Sequence, residues 1–114
     1  MDSFVISTLG EITSVSPLNG SNFSLKELQT VVNGYIEIVP IRKDAGNFKI
    51  KTPAGHEIKI DVMNDYIMVV NSEGKLQGLE CNSIATLIGN ASKSLLPGDW
   101  IAGSVLICPS KMVK

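Results

Sequence analysis

A chain of 114 residues with 44% hydrophobic and 18% charged side chains is large enough to bury one domain core and lies far from the composition of a disordered segment. Its formal net charge of −1 supplies no general pull toward phosphate backbones or anionic lipid, which disfavours nucleic acid as a partner. No apolar run approaches the roughly 20 residues that span a bilayer, so we expect no membrane association.

The start Met-Asp-Ser-Phe has neither the basic stretch nor the long apolar stretch of a secretory leader, and Cys81 and Cys108 share no spacing motif. A reducing, cytoplasmic setting is the expectation. Phe4-Val5-Ile6 and Glu11 to Val15 read as strands that either form a hairpin through Gly10 or continue past a bulge, within an N-terminal unit of residues 1–17. Pro17 to Asn22 concentrates turn formers and predicts a surface loop.

Ser24 and Glu27 have capping-box spacing, and Phe23 with Leu28 has the spacing of a hydrophobic staple, so a helix starts at Ser24. Leu25, Leu28, Val31 and Val32 form its expected apolar face, and Asn33-Gly34 its end, through the left-handed conformation glycine accepts. Tyr35 to Ile41 alternates, with Ile36, Ile38 and Ile41 on one side and Tyr35, Glu37 and Val39 on the other, and Pro40 places its end at a sheet edge or bulge.

Residues 47–62 predict a hairpin, because Phe48 and Ile50 alternate with lysines, Ile58, Ile60 and Val62 alternate with Glu57, Lys59 and Asp61, and Thr52-Pro53-Ala54-Gly55 supplies the turn. Lysines facing Glu57 and Asp61 would be weak register markers. Ile67 to Val70 is the most apolar strand candidate, short enough to be buried on both faces, with Asn71 to Gly74 as a polar turn. Asn82 then caps a short helix from Ser83 to about Ile88, stopped by Gly89. Leu95 to Asp99 makes a turn into a last strand over Trp100 to Cys108, and Ser110 to Lys114 reads as a frayed tail. The sum is a single α+β domain over 1–114: a mainly antiparallel sheet with one principal helix and one short helix packed on it.

Chemistry is sparse. His56 is the sole histidine and reads as a solvated hairpin tip, and the cysteines read as buried or half-buried small hydrophobes without an activating neighbour. No metal ligand set, cofactor motif or phosphate loop of Walker type is present. Asn71, Glu73, Gly74 and Lys75 could hold a polar ligand at a strand end, because a tight turn exposes amides beside a carboxylate and an ammonium; the bland alternative is a plain turn. Glu37 is either an inward carboxylate needing Lys75 or Arg42 or a surface residue, and Trp100 reads as a core or interface anchor.

Two stretches, Leu28 to Val39 and Val69 to Leu79 with Asn82 and Ala85-Thr86, resemble the domain-of-unknown-function family 3846, small proteins of phages and bacterial mobile elements. The family pattern is similar to L-Q-x-x-V-G-G-x-I-E followed by V-x-N-E-E-G-K-L-x-G-L-x-x-N, and Gly98 to Ile107 is similar to its C-terminal segment. The likeness covers about residues 24–42 and 66–108. This chain has Asn33 and Ser72 where the family pattern has glycine and glutamate, and adds the N-terminal strands and the 47–62 hairpin. The family has no established activity, so the resemblance implies an origin, and with it the cytoplasm of a bacterial host.

Together these readings lead us to expect a phage-type accessory protein, not an enzyme, that binds and sequesters a small anionic ligand such as a host defence nucleotide. Its site residues would be Glu37, Asn71, Glu73, Lys75, Asn82 and Thr86, and a homo-oligomer would enclose the ligand. The alternative is a protein-interaction module that inhibits a host factor, which an exposed apolar patch would reveal. An enzyme ranks third.

Overall fold

The computed structural model describes residues 3–41, 49–52, 55–59, 65–92 and 94–113. Strands β1 (Phe4–Ile6) and β2 (Ile12–Ser14) are followed by helix α1 (Leu25–Val32) and β3 (Ile36–Pro40). Next come β4 (Lys49–Lys51), β5 (Glu57–Lys59), β6 (Tyr66–Asn71), helix α2 (Ser83–Ala91), β7 (Val105–Pro109) and a 3-10 turn at Ser110–Met112. The architecture is α+β, with a five-stranded sheet in the order β2-β1-β7-β6-β3 and a separate two-stranded sheet, β4-β5. Every pairing between these strands is antiparallel among the described residues, and β1 and β2 do form a hairpin, with Ile6 opposite Ile12.

The start of α1 is built as its spacing predicts. The Glu27 amide donates to Ser24 Oγ (3.2 Å) and the Ser24 amide donates to Glu27 Oε1 (2.9 Å), closing the capping box. The other oxygen of Glu27 accepts from the Leu18 amide at 3.0 Å, so the same carboxylate also ties down the preceding loop. These donors, the Ser24 amide first and the Leu18 amide second, hold the Glu27 carboxyl below its ordinary value. The helix ends at Asn33, which itself takes the left-handed conformation (φ 61°); Gly34 was expected to take that part but is close to extended. Leu25 is exposed rather than core-facing, leaving Leu28 and Val32 as the buried stripe.

β6 and β7 are buried on both sides, so their alternate side chains feed two cores. Ile67, Val69, Leu106 and Cys108 pack with Phe23, Leu28 and Val32 under α1. On the opposite face Met68, Val70, Val105 and Ile107 pack with Ile84, Ala85 and Ile88 of α2 and with Ile50 and Ile58 of the small sheet. Each of the buried valine, leucine, isoleucine, phenylalanine and methionine side chains contributes about 1.5–3 kcal/mol by leaving water. Val39 and Ile41 both belong to this second core, so Ile41 sits with Val39 and not, as its spacing suggested, with Ile36 and Ile38.

Four other expectations change. α2 continues through Gly89 to Ala91, because the absent side chain at Gly89 makes room for Leu95: an added Cβ would lie 2.7 Å from Leu95 Cδ1. The last strand begins only at Val105, since Gly103 (φ 87°) turns the chain and Ala102 makes an isolated bridge with Cys81. The tail is tied down, with the Phe23 amide donating to the Met112 carbonyl at 2.8 Å and Val113 bridged to Phe23. Finally, Lys51 faces Glu57 in register, yet the ion pair is the diagonal one from Lys49 (3.4 Å), and Asp61 lies outside the described residues, as do Phe48, Pro53, Ala54, Ile60 and Val62.

Candidate functional site

Three of the six expected site residues prove to be structural joints. Asn71, the last residue of β6, is buried, and its side chain is fully engaged. Its Oδ1 accepts from the Glu73 amide (2.8 Å), shaping the turn, while its Nδ2 donates to the Val32 and Asn33 carbonyls (2.9 and 3.2 Å) and to Gln77 Oε1 (3.0 Å). It therefore satisfies carbonyls that the end of α1 would otherwise leave open, and locks that end to the turn after β6.

Asn82 is completely buried. It caps α2 by accepting from the Ala85 amide (3.0 Å) and donates to the Ile6 and Gly103 carbonyls (3.0 Å each), joining the helix to β1 and to the entry of β7. Thr86 donates to the Asn82 carbonyl (2.8 Å) and accepts from the Ile101 amide (3.0 Å). Neither side chain faces the groove described next, and the cap that would have offered amides to an anion is filled by the protein's own side chain.

The other three come together. Glu37 on β3 and Glu73 and Lys75 in the turns after β6 line an open groove of about 520 Å³, closed on its far side by the segment from Ser94 to Ala102. The Asn71 to Gly74 turn forms one wall, and Gly74 is required there, since a Cβ would stand 2.9 Å from the Ala102 carbonyl oxygen. Lys75 is not a free cation: its ammonium donates to Asp99 and lies 5.0 Å from the centroid of the Trp100 ring. The Lys75 contact, followed by the bond from the Trp100 amide (2.8 Å), holds the Asp99 carboxyl below its usual value.

Asp99, Trp100 and Leu96 are groove residues that sequence reasoning did not place. Pro97-Gly98 marks a turn there, but no local signal says which distant turn it meets. Among the described lining residues three carboxylates (Glu37, Glu73, Asp99) face one ammonium (Lys75), a balance that does not favour phosphate. The apolar content is the more distinctive property. Of nine large hydrophobic side chains exposed among the described residues, Leu76, Leu96 and Trp100 line this groove, with Leu76 86% and Leu96 77% exposed, while Ile38, next to Glu37 on β3, turns its side chain to the opposite face of the sheet.

The thiols differ from one another. Cys108 is buried between the sheet and α1, where desolvation pushes it up to about 11, whereas Cys81 is exposed, against expectation. His56 is exposed at the hairpin as expected, its amide donating to Thr52 Oγ1 at 3.1 Å. Among the described residues no three His, Cys, Asp or Glu side chains converge on a point where they could hold a metal ion, and no helix is long and apolar enough to cross a membrane. No family model, curated protein or solved structure matches this chain.

Proposed function

We propose that this protein is a binding module that engages a partner protein through the groove between β3, the turns after β6 and the Ser94 to Ala102 segment. The observation that carries the reading is the gathering of Leu76, Leu96 and Trp100, exposed, around one concave surface with a charged rim. Soluble proteins rarely leave such side chains together without a partner, and a tryptophan framed by polar residues is the usual anchor of an interface. The phage-type origin that the resemblance implies makes a host factor the natural partner. Sequestration of an anionic nucleotide draws less support, because Asn71, Asn82 and Thr86 have their polar groups committed to backbone partners and Lys75 is paired.

The test uses the single tryptophan as a built-in reporter. Wild type and Leu96→Asp, both checked for native circular dichroism, are immobilised and exposed to a host lysate, and Trp100 emission is followed during titration with a nucleotide panel. The reading expects a protein retained by wild type and lost by Leu96→Asp, with nucleotides silent. Nucleotide quenching that Lys75→Ala abolishes, or retention indifferent to Leu96→Asp, would overturn it in favour of the anion reading or of another surface.

A further inference from the structure

β3 is the terminal strand of the five-stranded sheet, pairing only with β6 among the described residues. The Tyr35 carbonyl accepts from the Ser72 amide (2.9 Å) and the Ile41 amide donates to the Tyr66 carbonyl (3.1 Å), so the odd-numbered residues of this strand turn their backbone groups toward β6. By alternation, Ile36 and Ile38 turn theirs outward, and no hydrogen bond among the described residues uses them on that side. The available edge is short and has defined ends. Pro40 has no N–H and its carbonyl accepts from the Ser94 hydroxyl, while the Gly34 N–H is donated to the Gln29 carbonyl at 3.1 Å.

Resting on the partner-binding reading above, we propose that the partner docks by adding an extended apolar–basic–apolar segment to the outer edge of β3, antiparallel to it. Two residues of that segment exchange four backbone hydrogen bonds with Ile36 and Ile38, and the residue between them lies opposite Glu37. Glu37 is exposed and on the groove side, so the side chain opposite it enters a surface whose described charges are three carboxylates to one ammonium, which selects lysine or arginine. The flanking side chains fall on the other face beside half-buried Ile36 and 42% exposed Ile38, which selects apolar residues.

A second copy of this chain is a poor occupant. Antiparallel self-pairing that uses all four free groups sets Glu37 directly opposite its own copy, and like charges so placed are destabilising. Sliding the two strands by two residues in either direction brings Pro40, without a donor, or Gly34, with its donor spent, into the ladder.

The experiment is an NMR titration of the ¹⁵N-labelled protein with synthetic peptides at millimolar concentration, identical except for a central Val-Lys-Val or Val-Glu-Val, and with the Val-Lys-Val peptide N-methylated at both valines. The expected result is slowed hydrogen exchange at the Ile36 and Ile38 amides with the lysine peptide, loss of that protection on N-methylation, and a preference over the glutamate peptide that Glu37→Lys inverts by about three- to tenfold. Unprotected Ile36 and Ile38 amides, or a preference that Glu37→Lys leaves unchanged, overturns edge addition. So does protection of those amides in peptide-free dimers, which assigns the edge to self-association. If Trp100 emission responds to peptide while the edge amides do not, strand addition falls and the groove reading stands; loss of the groove reading itself is read from the Leu96→Asp retention experiment.

Discussion

Replacing Asn82 by alanine removes three hydrogen bonds at a site with no solvent access. Loss of the helix cap alone costs about 0.5–2 kcal/mol. The Ile6 and Gly103 carbonyls additionally lose a buried donor, at about 1–3 kcal/mol for a group left unsatisfied. Allowing for non-additivity, Asn82→Ala should lower stability by about 3–5 kcal/mol, a large share of the roughly 5–15 kcal/mol that holds an average domain. That corresponds to a fall of roughly 12–20 °C in Tm for a chain of this size. The decisive comparison is Asn82→Asp, because aspartate serves as well as asparagine at an ordinary helix cap. Here it retains the acceptor for the Ala85 amide but turns a second oxygen, buried and ionisable, toward two carbonyl oxygens. We therefore expect Asp to be at least as damaging as Ala in urea and thermal unfolding at neutral pH. A loss below about 1 kcal/mol for either variant would refute the view that this side chain joins α2 to β1 and β7.

Ser24→Ala should cost about 0.5–2 kcal/mol through loss of the cap, with an unchanged denaturation midpoint as the contrary result. Because the folded-state pKa of Glu27 is depressed, its contribution is present above the unfolded-state value and is lost as pH falls through the folded one; Glu27→Gln should accordingly flatten the acid limb of the stability curve. Asp99 should titrate below an ordinary aspartate in carboxyl-detected NMR and move up in Lys75→Met, with a simultaneous change in Trp100 emission; an Asp99 titration that ignores the substitution would show the pair to be absent in solution. A thiol reagent should modify Cys81 readily in the native protein and Cys108 only after denaturation, since the latter is buried with its pKa raised to about 11. Equal native reactivity would contradict the packing of β7 against α1.

What the sequence determined by itself is what short-range physics controls. The capping box at Ser24 and Glu27 depends on groups three residues apart and the two-sided burial of β6 on an unbroken apolar run, and both are present as read. The sequence left β1 and β2 open between a hairpin and a bulged continuation, and the structure selects the hairpin. Pro40 signalled a sheet edge or a bulge, and β3 lies at the edge. The boundaries that failed depend on distant partners. Gly89 looks like a helix stop until Leu95 is seen to occupy the space above it, and Trp100 looks like the start of a strand until Gly103 turns the chain toward β7. The site was decided the same way. Asn71, Glu73, Lys75 and Asn82 look alike in sequence, as polar residues near turns. Tertiary packing buries Asn71 and Asn82 against the orphan carbonyls of other elements and leaves Glu73 and Lys75 on a groove rim. Lys75 meets Asp99 across 24 residues of chain, a pairing that no local pattern encodes because it is set by how two turns converge at one end of the sheet. A buried polar group takes whichever unsatisfied partner the fold brings to it, and only the assembled sheet and helices say which one that is.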